Sequence, residues 1–166
     1  RVQAQGMHHV LGMAGWEEGA PLQAQSAADL VGIIPYERWD NPKAFGEGKH
    51  PQFGSFMKGV AEFDAALFGV SRMEAEVMDP QQRQLLHAAY GNFIDSGLPL
   101  TSLDCTFGVG ISNPDYGTIV GKHNFPLMAM SATSFAFSVA AGRLSFVFHS
   151  AASALSIDTA CSSSLV

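Results

Sequence analysis

The chain has 166 residues, a length that fits about one domain able to bury a core, and 47% of them are hydrophobic against 14% charged. The charged share is well below the ~25% of an ordinary soluble domain, so much of the chain is interior or faces a partner. A formal charge of -6 without a Lys/Arg cluster excludes a nucleic-acid surface, because phosphate neutralisation needs such a cluster.

The longest apolar run, Phe135 to Phe148, contains Arg143 and several serines and falls short of the ~18 residues of a membrane span. With only Cys105 and Cys161 no disulfide framework is implied, which suits a reducing, cytoplasmic compartment, a plastid or other organelle staying open. Arg1-Val2-Gln3 carries no signal segment, and the chain reads as cut at both ends.

The first thirty or so residues are weakly patterned. Val10 to Ala14 is expected as a short edge strand, and Ser26 to Val31 as one or two helical turns. Pro35-Tyr36-Glu37-Arg38-Trp39-Asp40 reads as irregular chain held by aromatics, and the Gly- and Pro-rich stretch from Gly46 to Gly59 as loop. His8, His9 and His50 lack the spacing of a metal site.

Regular structure becomes legible after Phe63. Ser71, three residues before Glu74, forms a capping box and starts a short helix. Asp79-Pro80 joins an N-cap to a proline at the first helical position. Leu85, Leu86, Ala89, Tyr90, Phe93 and Ile94 then recur at helical spacing until Gly97, predicting an amphipathic helix. Thr106 to Ser112 reads as a buried strand with Phe107, Val109 and Ile111 on one face and glycines on the other, where another backbone approaches closely. Cys105 at its start is a core residue. Asn113 to Gly117 is expected as a turn, and 118 to 130 as loop with a helical portion. The residues from Ser134 to Phe148 are apolar nearly all round and predict a helix enclosed by protein.

Leu155, Ile157 and Thr159 alternate with Ser156 and Asp158, the period of a strand, and small polar residues then crowd around Cys161. A cysteine on a strand-to-helix turn sits near unpaired N–H groups and a helix dipole that favour the thiolate. On the residues alone, Cys161 is either such a nucleophile or a small buried core side chain. Ser162, Ser163 and Ser164 pack and cap, since none is flanked as Gly-x-Ser-x-Gly. Helix, strand and nucleophile turn in succession describe an α/β organisation.

Several of these stretches, in order, resemble the amino-terminal half of a beta-ketoacyl synthase domain of the polyketide and fatty acid synthase type, within the thiolase-like condensing enzymes. They are Val31 to Asp40 with its Arg38-Trp39-Asp40, Phe63 to Ser71, Glu74 to Arg83 with its Asp79-Pro80-Gln81-Gln82-Arg83, Gly108 to Ser112, Ala140 to Phe146, and Asp158 to Val166 with its Asp158-Thr159-Ala160-Cys161-Ser162-Ser163-Ser164. The resemblance implies a thiolase-like α/β fold with a mixed sheet between helices, present here as residues 1–166 up to just past the nucleophile motif. It implies that Cys161 accepts an acyl chain as a thioester, its backbone N–H contributing to an oxyanion hole, before decarboxylative condensation with malonyl-carrier protein. The implied partners are an acyl carrier protein, acyl and malonyl thioesters and a second copy in a homodimer. No cofactor is bound directly, the substrates riding on the carrier's phosphopantetheine.

Two other readings stay open: a condensation-inactive or decarboxylase-like ketosynthase, and a non-catalytic structural or carrier-docking domain. The resemblance also implies two histidines and a lysine from the half that follows, and His87, His123 and His149 match none of them. Without that half, apolar helix faces are also left unburied, so the 166 residues alone are expected to be aggregation-prone or inactive. Where the family has a Gly-rich, proline-containing connection, this chain has His149-Ser150-Ala151-Ala152-Ser153.

Overall fold

The structure, a computed structural model, describes residues 29, 31–36, 38, 52–57, 59–100, 104–113, 115–122 and 133–165. They belong to two units, Gly15–Gly59 and Arg1–Ala14 with Val60–Val166.

In the unit Gly15–Gly59, β1 (Gly32–Ile33) pairs antiparallel with β2 (Phe53–Gly54), Gly32 opposite Gly54 and Ile33 opposite Phe53. The stretch expected as loop therefore holds a strand, too short for alternation to reveal it. The aromatic segment is held as expected: Arg38 donates to the Met57 carbonyl at 2.9 Å and lies 5.8 Å from the Phe56 ring centroid. Of the helical turns expected over Ser26 to Val31, Asp29 and Val31 are described and are not helical; the Asp29 carboxylate accepts from the Val31 N–H at 2.9 Å. The edge strand expected at Val10 to Ala14 lies outside the described residues.

In the other unit, Ser71 Oγ accepts from the Glu74 N–H at 3.2 Å and opens α1 (Arg72–Val77). Asp79 Oδ1 accepts from the Gln81 N–H at 2.8 Å and opens α2 (Pro80–Ser96). That helix ends at Gly97, whose φ of 66° lets its N–H and that of Leu98 turn back onto the Ile94 and Phe93 carbonyls. Both helix starts fall where the capping residues predict, because a cap is decided within three or four residues.

β3 (Phe107–Gly110) and β4 (Ala154–Ile157) run parallel, Phe107 opposite Ala154 and Gly110 opposite Ile157. The ladder continues through Phe107 N–H to Ser153 O at 3.0 Å and Ile111 N–H to Ile157 O at 3.1 Å. Parallel strands need a long crossover, and α3 (Asp115–Lys122) and α4 (Phe137–Val147) lie within it. The core joins Met78 and Leu86, Val109 and Ile111 of the β3 segment, and Ala140, Ala141 and Leu144 of α4. Phe148 closes it against Phe93, ring centroids 4.9 Å apart. Cys105 packs against this cluster, as expected of a core residue.

Three elements depart from the expectation. The turn after β3 is shorter than predicted, since Asn113 takes a positive φ of 67° and Asp115 already begins α3. The apolar helix of 134–148 is interrupted at Ala136, which is extended, and among the described residues Phe146 of α4 is 80% exposed, as expected of a chain without the half that follows. On β4 the alternation predicts the strand but not its inward face. Leu155 points away, while Ser156 Oγ accepts the Ala141 N–H at 3.2 Å and fastens the strand to α4.

A buried polar bridge ties α1, α2 and α4. Arg143 donates through Nε to Gln82 Oε1 at 2.7 Å and through a terminal N–H to Glu74 Oε1 at 2.5 Å. The Gln82 amide in turn donates towards the Ser134 and Ala136 carbonyls at 3.3 and 3.4 Å. At the C-terminus of α4, His149 takes φ 52°; its N–H reaches Phe146 O and the Ser150 N–H reaches Ser145 O, a Schellman turn. The residues standing in place of a Gly-rich connection thus keep a glycine-like backbone.

Candidate active site

β4 ends at Ile157, and the chain enters a short 3-10 turn, Ala160–Leu165. The turn is knotted by its own side chains. Asp158 Oδ1 accepts the Ala160 N–H at 3.1 Å, Ser163 Oγ accepts the Thr159 N–H at 2.8 Å and donates to Ala160 O at 2.8 Å, and Ser162 Oγ donates to Thr159 O at 2.9 Å. Ser162 and Ser163 therefore pin the turn, in line with the capping role expected of them. Ala160 takes φ 53°, a left-handed conformation that costs a residue with a Cβ about 1 kcal/mol.

The strained residue immediately precedes Cys161, which is exposed. Among the described residues Cys161 is therefore not packed into the core. The turn is 3-10 over its described length.

Cys161 borders an open cleft of about 280 Å³. One wall is the end of β3, Gly110-Ile111-Ser112; the other is the turn, with Ala160 and Ser163 beside the cysteine, and Gln81 from the first turn of α2 completes it. The walls meet closely at Gly110. A Cβ on that residue would stand 3.1 Å from the carbonyl carbon, oxygen and Cβ of Ser163. The glycine face predicted for β3 is real at Gly110 and admits the backbone of the cysteine turn, whereas at Gly108 nothing among the described residues lies within 4 Å.

Sequence reasoning passes over Gln81 as a site residue. Its amide donates to Asn113 O at 3.2 Å, joining the start of α2 to the residue that turns the chain after β3. Asp79, two residues earlier, is 2% exposed, and burial pushes its carboxyl above the usual range despite the Gln81 hydrogen bonds and the nearby Arg83. Among the described residues its Oδ2 and the Arg83 Nε have no hydrogen-bond partner. The histidines that are described lie elsewhere: the His87 ring lies tilted against those of Phe63 and Phe68, centroids 5.4 Å apart in each pair, and His149 caps α4. Tyr116 donates to Glu76 O at 3.2 Å. No helix among the described residues is long and apolar enough to cross a membrane.

The fold and site together define an α/β unit that holds an exposed cysteine on a strained turn beside a glycine-faced strand end. Residues 25–166 match the family model "Beta-ketoacyl synthase, N-terminal domain", and the chain belongs to that family. It is 39% identical over 144 residues to polyketide synthase ThaG of Burkholderia thailandensis, covering 81% of this chain and 3% of that protein. It is 36% identical over 152 residues to the polyketide synthase component of lovastatin nonaketide synthase of Aspergillus terreus, covering 86% of this chain and 5% of that protein.

A cysteine-to-serine mutant of the ketosynthase from module 6 of the bacillaene synthase of Bacillus subtilis 168 superposes with a TM-score of 0.77 at 29% identity, over 94% of this chain and 27% of that one. The fold is the thiolase-like fold of the ketosynthases, present as a partial α/β unit. The chain spans about a quarter of that solved ketosynthase and about a twentieth or less of the two polyketide synthases.

Proposed function

We propose that this chain is the amino-terminal part of a ketosynthase domain of the polyketide synthase type, and that Cys161 is its acyl-accepting nucleophile. The observation that carries the reading is the exposed Cys161 at a cleft whose opposite wall, at Gly110, approaches the cysteine turn too closely for a Cβ to fit without displacement.

The Cys161 thiolate attacks the carbonyl carbon of an acyl thioester carried on phosphopantetheine. A carbon–sulfur bond forms, and negative charge moves onto the carbonyl oxygen, where the Cys161 N–H is one donor to it. Collapse of the tetrahedral intermediate breaks the bond to the pantetheine sulfur, which leaves as the thiolate and takes up a proton. A malonyl thioester on the carrier then loses carbon dioxide. Its enolate carbon attacks acyl-Cys161, and the cysteine leaves as a thiolate from a 3-oxoacyl product.

Among the described residues no histidine lines the cleft, so the groups that assist decarboxylation come from outside this set. The carrier protein, the acyl and malonyl thioesters, a homodimeric domain and a cytoplasmic location belong to the same proposal, as does the need for no directly bound cofactor. The test is intact-protein mass spectrometry of the full-length protein with an acyl thioester, beside Cys161→Ala. An adduct confined to the wild type supports the reading, and its absence overturns it. An adduct that never yields 3-oxo product with malonyl-carrier protein selects the condensation-inactive form instead.

A further inference from the structure

Gln81 stands at a junction that the proposed chemistry does not use. It lies in the first turn of α2, whose start is fixed by the Asp79 cap and by Pro80. Its side chain does two things at once. It lines the cleft that Cys161 borders, and it donates a hydrogen bond of 3.2 Å to the carbonyl of Asn113, 32 residues further along.

Asn113 is the residue of positive φ at which the chain leaves β3 and turns towards α3. The segment Gly110-Ile111-Ser112 that precedes it is the cleft wall facing the cysteine turn. That segment is pinned at its near end, where the Ile111 N–H donates to Ile157 O at 3.1 Å. At its far end the Gln81 amide reaches the Asn113 carbonyl, a contact between elements that β-ladder bonds do not join.

We propose that Gln81 is a positioning residue for acyl transfer: by clamping Asn113 it fixes the wall against which an acyl thioester must lie to present its carbonyl to Cys161. The proposal rests on the acyl-acceptor reading of Cys161 and adds to it the element that orients the substrate. Reaction of the cysteine with a small reagent needs only an accessible sulfur. Acyl transfer from a pantetheine-like donor needs the wall as well, because the carbonyl must be held within near-attack distance.

The test compares two rates at Cys161 in the full-length protein, each followed by intact mass. One is acylation by an acyl N-acetylcysteamine thioester, and the other is alkylation by iodoacetamide. Gln81→Met keeps the length of the side chain and removes the donor. Gln81→Glu keeps the shape and turns an oxygen towards the Asn113 carbonyl.

Both variants are expected to acylate about three- to tenfold more slowly than the wild type, the loss that one neutral hydrogen bond supports, with the alkylation rate within about twofold. Acylation unchanged in both variants overturns the assignment, as does a fall in acylation matched by an equal fall in alkylation, since the latter marks general disturbance of the turn. Thermal unfolding of each variant separates misfolding from loss of the clamp. A wild type that takes iodoacetamide on Cys161 but never an acyl group overturns the acyl-acceptor reading and this proposal with it, whereas acylation retained by wild type and variants alike removes the role of Gln81 alone.

Discussion

Adding one methyl group at Gly110 and one at Gly108 should have opposite consequences, although the two residues are neighbours on the same face of β3. A Cβ at Gly110 meets the carbonyl carbon, oxygen and Cβ of Ser163 at 3.1 Å, and two of these are backbone atoms that cannot swing aside. The cysteine turn must retreat by a few tenths of an ångström, in a segment already cross-tied by Ser162 and Ser163. Overpacking of this kind costs about 1–3 kcal/mol. Alanine in place of a strand glycine recovers about 0.5–1 kcal/mol by restricting the unfolded chain.

Gly110→Ala is therefore expected to lose up to about 2.5 kcal/mol, while Gly108→Ala, which meets no described atom within 4 Å, gains up to about 1 kcal/mol. Denaturant unfolding of the two variants beside the wild type reads the difference. Acylation of Cys161 reads the displacement of the turn, and only Gly110→Ala should slow it. Equal stability changes in the two variants, or normal acylation in Gly110→Ala, would refute the view that the glycine face exists to admit the cysteine turn.

Arg143→Met keeps the bulk of the side chain but strips Gln82 and Glu74 of their shared partner in a setting where Arg143 is 9% exposed; a loss of about 3 kcal/mol is expected in denaturant unfolding, and less than about 1 kcal/mol would show the bridge to be dispensable. Burial raises the Asp79 carboxyl above its unfolded value of 3.8, so the folded state binds that proton more tightly than the unfolded chain does. The stability this lends is fully present below the unfolded value and is lost as pH rises through the folded one. Asp79→Asn keeps an oxygen to accept the Gln81 N–H and removes the charge. At neutral pH it should be at least as stable as the wild type, and its unfolding midpoint should fall less as pH rises from about 4 to 7. A variant less stable at neutral pH with an undiminished slope would contradict this.

Features decided within a few residues were legible in the sequence. The caps at Ser71 and Asp79 and the stop at Gly97 each depend on a single side chain or φ angle meeting the backbone two to five residues away. The strand around Val109, its glycine face and the turn at Cys161 were legible from alternation and from small residues in sequence.

What failed depended on distant partners. Arg143 looks like an interruption in an apolar helix until Gln82, 61 residues away, supplies its acceptor. Leu155 is as hydrophobic as the buried residues beside it, and only the packing of β4 against α4 decides that Ser156, not Leu155, turns inward. Gln81 is one member of a recognisable run, Asp79 to Arg83, but nothing local indicates that its amide crosses to Asn113. The two residues stand 32 apart in the chain, so only the folded arrangement of α2 beside the end of β3 brings them together.

The central claim, that Cys161 is the acyl acceptor, is tested most directly by digesting the full-length protein after brief exposure to an acyl N-acetylcysteamine thioester and locating the added mass. The account predicts a thioester on the peptide that contains Cys161, released by hydroxylamine and absent from Cys161→Ala, with Cys105, half-buried against the core, unmodified. An acyl group on Cys105 or on a serine of the turn, or no acyl group on any residue of a folded wild type, would contradict it.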